Sequence, residues 1–376
     1  MTTQTRTRLH ELAGVGQAVW YDYIRRTFIA SGELEALIDR GVRGVTSNPT
    51  IFEKAIAGSA DYDEDLRRLV AQGRSVDDIY EALVLDDIGR AADLLRPVYD
   101  ATGGQDGYIS LEVSPTLAHD TDGTVAAARR LFAALRQPNV MIKVPATAEG
   151  IPAIETLIGA GINVNVTLIF SVAQYEAVAA AYLAGLESRS AARGDLTRVA
   201  SVASFFVSRI DTAVDRMLDG AAAATDLRGT IAIANAKVAY ARFRDLFGGP
   251  RWERLAGLGA HAQRPLWAST GTKDSRYPDT LYVDSLIGPD TVNTVPPATL
   301  HAFLDHGTAT STLADGLDQA RARLTRLADA GIDLDAVTAQ LQVDAVGLFA
   351  ASFETLMASI TEKRAHLLVC HVEALP

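Results

Sequence analysis

Residues Ile162–Phe170, INVNVTLIF, decide the fold class because polar and apolar side chains alternate along this short segment. In an extended strand, Asn163, Asn165 and Thr167 share one face, and the aliphatic residues between them occupy the other. Helix-like sequence flanks the segment on both sides. A strand of this kind presents its apolar face to helices and its polar face to a different, more polar space.

Eight such runs, each followed by a helix-like stretch, occur before about residue 296. Ala-rich and amphipathic segments such as 122–136, 171–192 and 229–247 indicate the intervening helices. The alternation predicts an α/β protein, a (β/α)₈ TIM barrel, with an open doubly wound sheet as the alternative. The eight predicted strands are Ala18–Asp22, Val42–Asn48, Tyr108–Ser114, Val140–Pro145, Ile162–Phe170, Val199–Val207, Pro265–Thr270 and Thr291–Val295.

The pattern becomes purely helical after Pro296 and Pro297, which predicts a helical C-terminal extension over residues 298–376. Its last part, Val343–Leu368, forms a long amphipathic stretch. No repeat or flexible linker divides the chain, so we expect a single domain over residues 1–376. Residues 248–263, GGPRWERLAGLGAHAQ, are interpreted as an inserted loop.

Composition restricts the classes of function. Lys and Arg number 35 against 46 Asp and Glu, so the formal net charge of −11 argues against nucleic-acid binding. The single cysteine, Cys370, cannot form an internal disulfide. The first 14 residues lack an apolar signal region, and charges or prolines interrupt every apolar stretch before membrane-spanning length. We therefore expect a cytoplasmic protein that does not contact membranes.

Two other strands place charged residues on the face predicted to point into the barrel. Glu112 alternates with apolar residues in YISLEVS, and Lys143 does so in VMIKVP, so both should lie near Asn165 and Thr167. An ammonium inside a barrel must be paired or partly neutral. A neutral lysine attacks carbonyl groups and forms a Schiff base, for which Glu112 and a water held by Thr167 could move protons. A buried structural ion pair between Lys143 and Glu112 is the alternative.

Five motifs, in order along nearly the whole chain, resemble those of the transaldolase family. The length and the C-terminal helices look most like the longer bacterial subfamily, some members of which are fused to glucose-6-phosphate isomerase. The resemblance implies transfer of a dihydroxyacetone unit from sedoheptulose 7-phosphate to glyceraldehyde 3-phosphate, giving erythrose 4-phosphate and fructose 6-phosphate. It also implies that neither a metal nor a cofactor is needed. The motifs are GVTSNPTIF (44–52), VMIKVPAT (140–147), NVNVTLIFS (163–171), SFFVSRID (204–211) and WASTGTKD (267–274).

Matched residue by residue, the resemblance makes Lys143 the imine-forming lysine. Asp22 matches the carboxylate that takes the proton from the C4 hydroxyl of the ketose. Glu112 and Thr167 match the pair that handles the catalytic water. Asn48 and Asn165 match substrate-orienting amides, although Asn48 before Pro49 could equally be a turn residue, and Ser204 matches a residue at the donor's terminal hydroxyl.

The match is weaker for phosphate recognition. Arg209 corresponds to a phosphate-binding arginine and Ser269 to the serine of an Ala-Ser motif, but Gly271 replaces an arginine found in many members of the family. Lys273 could restore that charge. Phe206 lines the presumed site, and because a phenyl ring cannot hold water, it favours a transferase over an aldolase.

Two alternatives stay open at this point. The chain could be a Schiff-base fructose-6-phosphate aldolase that releases free dihydroxyacetone. It could also be a catalytically silent barrel that binds sugar phosphates or partners an isomerase, since barrels support many functions. In every case the expected partners are small sugar phosphates, and the chain is expected to be a monomer or homodimer.

Overall fold

The structure, a computed structural model, describes residues 6–219 and 222–373. Residues 1–5, and the side chains of 369–373 that include Cys370, lie outside the described part, as do the predictions made for them. Eight parallel strands form a closed barrel in sequence order, and β1 pairs with β8 to complete it. The strands are β1 (Gln17–Tyr21), β2 (Val42–Thr46), β3 (Tyr108–Glu112), β4 (Val140–Pro145), β5 (Val164–Ile169), β6 (Ser201–Phe206), β7 (Arg264–Ala268) and β8 (Thr291–Val295).

The predicted (β/α)₈ barrel is confirmed, and each predicted run contains or overlaps one strand. Helices cover the outside of the barrel and bury the aliphatic residues of the strands against it. Their bounds follow. The α-helices are α1 (Arg8–Val15), α2 (Arg26–Ala30), α3 (Glu33–Asp39), α4 (Pro49–Phe52), α5 (Asp63–Ala71), α6 (Val76–Ala101), α7 (Thr121–Leu135), α8 (Gly150–Gly159), α9 (Val172–Ala191), α10 (Ser208–Leu218), α11 (Ile231–Leu246), α12 (Pro250–Ala256), α13 (Leu281–Ser285), α14 (Pro297–His306), α15 (Leu317–Asp329) and α16 (Leu334–Glu373).

One predicted loop is wrong: residues 248–263 contain helix α12. Pro250 occupies its first turn, where the missing N–H of proline costs no hydrogen bond. Trp252 packs edge-on against Phe247 at the end of α11, with the ring centroids 5.0 Å apart. The insertion is therefore a short helix packed beside the barrel rather than an irregular loop.

The C-terminal helix α16 begins nine residues earlier than the predicted stretch, because Asp333 caps it. The carboxylate of Asp333 accepts hydrogen bonds from the N–H groups of Asp335 (3.0 Å) and Ala336 (3.2 Å). From there α16 crosses the carboxyl ends of the strands. The Gln342 amide donates to the carbonyl oxygens of Ala146 (2.8 Å) and Leu168 (3.0 Å), which follow β4 and end β5. The helix therefore covers the mouth of the barrel.

By length and composition alone, Leu334–Leu368 could cross a membrane, although Asp344 and Glu354 interrupt its apolar sequence, as predicted. Its contacts instead attach it to the barrel. Phe349, Leu356 and Ile360 are buried along one side, and the Lys363 ammonium donates to the carbonyl oxygens of Ile56 and Ser59, both at 3.1 Å. A helix held in this way belongs to the folded domain.

We predict that Gln342→Ala lowers the free energy of unfolding by about 1–3 kcal/mol, because two buried carbonyl groups lose their donor. Urea denaturation measures the change. Gln340→Ala is the matched control, since Gln340 is exposed and bonds only to Asp344 on its own helix. An equal effect of both substitutions would show that α16 is not fastened through Gln342.

Candidate active site

A cavity of about 340 Å³ opens at the carboxyl ends of the strands, beneath α16. Nine of the eleven residues predicted for the site line it; Glu112 and Asn165 lie behind its wall. These nine residues are therefore brought to one place by six different strands and the loops that follow them. The nine lining residues are Asp22, Asn48, Lys143, Thr167, Ser204, Phe206, Arg209, Ser269 and Lys273.

Lys143 projects into the barrel from β4 and is only 5% exposed. Its ammonium lies 3.2 Å from Oε2 of Glu112 on β3 and donates to the carbonyl oxygen of Ser47 at 3.3 Å. The pairing follows from the register, because Glu112 stands directly opposite Lys143 and both point inward. The ammonium is thus paired, as one of the two sequence interpretations requires, at an edge of the cavity where a carbonyl compound can reach it.

The Glu112 carboxyl is buried, and burial raises its pKa although Lys143 opposes the shift. A carboxyl group with a raised pKa can take up a proton more readily than an exposed one. Glu112 is therefore the group best placed to exchange a proton with Lys143.

Asp22 follows β1 directly, and its N–H extends the ladder by bonding to the carbonyl oxygen of Val295 at 2.9 Å. Its side chain lines the cavity and accepts a hydrogen bond from the Thr46 hydroxyl at 2.7 Å. Burial raises the pKa of Asp22, while Lys143 and Thr46 oppose the shift. Asp22 is thus a carboxylate that lines the cavity, on a different strand from Glu112 and held by its own donor.

Polar side chains of β3, β5 and β6 form a buried chain beside the lysine. Ser204 donates to Oδ1 of Asn165 at 2.7 Å, and the Asn165 amide donates to Ser110 at 3.0 Å. Thr167 lies two residues further along β5, and its buried Oγ1 has no hydrogen-bond partner among the described residues. A buried hydroxyl without a partner marks a position suited to a bound water or substrate oxygen.

Asn163 does not share this environment, although the alternation placed it on the same face as Asn165. It precedes β5 at the opposite end of the strand. Its amide donates to the carbonyl oxygens of Pro138 (2.8 Å) and Val140 (3.1 Å). Its role is therefore to join backbone segments below the lumen.

Asn48 serves partly as the turn residue that its position before Pro49 indicated. Its Oδ1 accepts from the N–H of Ile51 at 2.9 Å and caps α4. The Asn48 amide nitrogen makes no hydrogen bond to another described residue, and the side chain lines the cavity. Capping leaves this donor available to a ligand.

Arg209 lies in the first turn of α10, after β6, and its guanidinium sits 5.4 Å from the centre of the Phe206 ring. It forms no salt bridge within the described residues, and burial lowers its pKa. Arginine nonetheless stays charged, so the cavity holds a cation without a carboxylate partner. Phe206 also packs against Phe170, with centroids 5.2 Å apart, and forms an apolar wall.

Ser269 directly follows β7 with a left-handed backbone (φ 56°), and its hydroxyl is 2.9 Å from that of Ser208. Gly271 follows in a confined position, because a Cβ there would lie 3.0 Å from the Thr299 hydroxyl. A larger side chain at 271 would require that hydroxyl to move. Lys273, two residues further, does line the cavity and places a second cation at this side of it.

Nine further residues that the sequence interpretation did not assign to the site also line the cavity, and three of them matter most for its chemistry. Lys54 lies in the π-helical turn Glu53–Ala57 after α4, and only its proximity to the GVTSNPTIF motif could have indicated it. Thr46 is inside that motif and could have been inferred from its place at the end of β2. Phe349 comes from α16, and its ring centre is 5.8 Å from the Lys143 ammonium; no local pattern predicts a contact across so much of the chain.

Comparison with known proteins gives consistent results. A family described as "Transaldolase/Fructose-6-phosphate aldolase" matches residues 19–360. A protein named transaldolase from Saccharopolyspora erythraea is 50% identical over 361 residues, covering 96% of this chain and 98% of its own. Transaldolase 1 of Streptomyces coelicolor is 50% identical over 364 residues, with 96% of each chain covered. Transaldolase 2 of Nostoc punctiforme is 46% identical over 369 residues, covering 94% and 97%.

We predict that Glu112→Gln lowers the free energy of unfolding by roughly 3 kcal/mol, because it leaves the Lys143 ammonium buried without its counter-ion. Lys143→Met should destabilise the protein similarly. The double variant should lose much less free energy of unfolding than the sum of the losses in the two single variants. A urea-denaturation double-mutant cycle measures the coupling.

The exposed pair Arg96–Asp100, at 2.9 Å, is the control cycle and should give a coupling of about 0.5 kcal/mol or less. If the stability losses of the Glu112 and Lys143 variants simply add, the two side chains do not stabilise each other as a buried ion pair.

Proposed function

Because this chain belongs to the transaldolase and fructose-6-phosphate aldolase family, we propose that it is a transaldolase acting through an imine of Lys143. The reaction would move a dihydroxyacetone unit from sedoheptulose 7-phosphate to glyceraldehyde 3-phosphate. Erythrose 4-phosphate and fructose 6-phosphate are the products, in the non-oxidative branch of the pentose phosphate pathway. The observation that carries the proposal is the buried Lys143 ammonium beside Glu112, at the edge of a cavity lined by cations.

Imine formation starts when Lys143 loses a proton, for which Glu112 at 3.2 Å is the nearest acceptor. The neutral amine attacks the C2 carbonyl of the ketose and gives a carbinolamine. A proton on the carbinolamine hydroxyl lets it leave as water, and the carbon–nitrogen double bond forms. The unpartnered Thr167 hydroxyl is suited to hold that water.

Cleavage uses the second carboxylate. Asp22 takes the proton of the C4 hydroxyl, C4 becomes the carbonyl carbon of the departing aldose, and the C3–C4 electron pair moves into the imine as an enamine. Burial raises the pKa of Asp22, so it returns the proton readily when the enamine attacks the aldehyde of the acceptor. Keeping Asp22 apart from Glu112 lets the two carboxyl groups act at different carbon atoms.

The Phe206 wall supports transfer over hydrolysis. Water must reach the imine carbon to release dihydroxyacetone, and a phenyl ring packed against Phe170 offers it no hydrogen bond. The covering helix α16, with Phe349 above the lysine, adds a second apolar surface. The enamine would therefore persist until an acceptor sugar arrives.

The anionic end of the sugar would meet Arg209 and Lys273, with Ser269 and the chain of Ser204 and Asn165 orienting its hydroxyl groups. Asn48 would donate its free amide hydrogens. We infer that no metal or cofactor takes part, and that the enzyme works in the cytoplasm as a monomer or homodimer. These statements rest on the resemblance and composition described above.

An acceptor-dependence assay tests the proposal. With sedoheptulose 7-phosphate alone, a transaldolase should release about one equivalent of erythrose 4-phosphate per enzyme and then stop, since the enamine stays on Lys143. Adding glyceraldehyde 3-phosphate should start continuous turnover. The Lys143→Met variant, checked by circular dichroism to be folded at the assay temperature, is the control and should release nothing. Continuous release without acceptor would identify an aldolase, and no release from the wild type would identify a silent barrel.

Removing the Arg209 guanidinium should weaken phosphate recognition without changing the catalytic steps. We predict that Arg209→Ala raises the KM for fructose 6-phosphate about ten- to a hundredfold, because a charge-assisted contact is lost, and leaves the KM for fructose nearly unchanged. Steady-state kinetics with both donors, at erythrose 4-phosphate concentrations that saturate each variant, measures the split. Arg216→Ala, two turns along the same helix and exposed, should change neither value; equal effects of Arg209→Ala on both donors would remove Arg209 from the phosphate site.

A further inference from the structure

Tyr277 joins the two elements that carry the cations of the proposed phosphate site. Arg209 is in the first turn of α10, whereas Lys273 lies in the loop between β7 and α13. The Tyr277 hydroxyl, four residues after Lys273, donates to Oδ2 of Asp215 on α10 at 2.6 Å. A single hydrogen bond thus spans from the loop of one cation to the helix of the other.

Asp215 is itself fixed on its other side. It is 8% exposed, and its Oδ1 accepts from the N–H of Gly229 at 3.1 Å. Gly229 has a left-handed backbone (φ 66°), and a Cβ there would lie 2.8 Å from the Tyr277 ring. The ring therefore packs against bare backbone, and the Tyr277 side chain is held both by contact and by its hydroxyl.

The remainder of the loop has few anchors. Asp274 and Arg276 pair with one another, and the N–H of Tyr277 bonds to the Asp274 carbonyl oxygen, so these contacts stay inside the loop. Within residues 271–278, Tyr277 makes the one side-chain hydrogen bond to a described residue outside the segment. At the end of the segment, the Pro278 carbonyl oxygen accepts from the N–H of Leu281 at 3.0 Å. A cavity of about 380 Å³, lined by Lys273, Tyr277 and Asp215, lies beside the loop. The loop has room to move once this contact is lost.

We propose that Tyr277, through Asp215, is a positioning residue for phosphate recognition: it holds the Lys273 loop at a fixed place relative to Arg209. The proposal rests on the proposed function, in which these two cations bind the sugar phosphate. Tyr277 does not line the substrate cavity, so it acts through the loop and not on the substrate. Its effect should therefore fall on affinity for the phosphorylated sugar and not on the chemical steps.

A second pair on the same helix provides a matched comparison. Tyr282 donates to Asp211 at 2.9 Å, and Asp211 also accepts from the N–H of Ala232 at 2.8 Å. The chemistry is the same, but Tyr282 is fully buried in α13 and nine residues from Lys273. Loss of this hydroxyl should destabilise the fold without freeing the Lys273 loop.

The test compares Tyr277→Phe with Tyr282→Phe. Tyr277→Phe keeps the ring on Gly229 and removes only the hydroxyl, and should raise the KM for fructose 6-phosphate about three- to tenfold, the range for one hydrogen bond. Its kcat should change less than twofold and its KM for fructose should stay the same. Tyr282→Phe should lower the melting temperature and leave both KM values unchanged.

Three further measurements complete the test. Asp215→Asn retains an acceptor for Tyr277, so its KM for fructose 6-phosphate should lie between those of the wild type and Asp215→Ala. In a Tyr277→Phe, Lys273→Ala double variant, the KM effects should not multiply, because both changes act at the same cation. Inorganic phosphate, titrated by calorimetry, should bind Tyr277→Phe more weakly by the same factor.

The outcomes separate the two proposals. If Arg209→Ala raises the KM for fructose 6-phosphate and Tyr277→Phe does not, the positioning role is wrong and the phosphate site stands. If neither does, the phosphate site itself is wrong. Equal KM changes for fructose and fructose 6-phosphate in Tyr277→Phe, or the same KM split in Tyr282→Phe, would also overturn the positioning role.

Discussion

The rest of the site depends on the buried ion pair between Lys143 and Glu112. An ammonium taken from water into a protein interior loses hydration worth several kcal/mol, and only a close counter-charge offsets the loss. The parallel register of β3 and β4 supplies that charge at 3.2 Å, directly opposite the lysine. The closed barrel and α16 keep water from replacing it, and the same exclusion would protect an imine formed there.

Charge is distributed unevenly over this acidic protein. The formal net charge is −11, yet Lys54, Arg209 and Lys273 all line the cavity, and Arg209 has no acidic partner among the described residues. Arg209 and Lys273 follow β6 and β7, whereas Lys54 follows β2, on the other side of the barrel. An anionic substrate would therefore enter a locally cationic site whose walls, built by Phe206 and Phe349, are apolar.

Much of this arrangement could be predicted from the sequence, because the strand period is local and strict. Alternation in β3, β4 and β5 assigned Glu112, Lys143 and Asn165 to the lumen, and closure of eight strands then had to bring them together. Alternation fails where the strand ends: Asn163 has the right parity but lies before β5 and bonds to backbone. The alternation of side chains shows which face of the strand a residue occupies, but it does not show how far along the barrel axis that residue lies.

Contacts between segments that are distant in the chain have no sequence pattern comparable to the alternation along a strand. Gln342 and Phe349 reach the mouth of the barrel because α16 crosses it, and nothing within the helix sequence specifies what that helix covers. The short helix α12 is hard to predict for a different reason: its glycine-rich flanks indicate a loop, and the proline in its first turn is compatible with a turn as well as with the start of a helix.

Lys143 is the group proposed to form the covalent bond to the sugar. Reduction with borohydride in the presence of fructose 6-phosphate, followed by peptide mass mapping, tests this most directly, because reduction makes the imine permanent. We expect one adduct, on the peptide that contains Lys143. No adduct, or an adduct on Lys54, Lys237 or Lys273 in its place, would contradict the account.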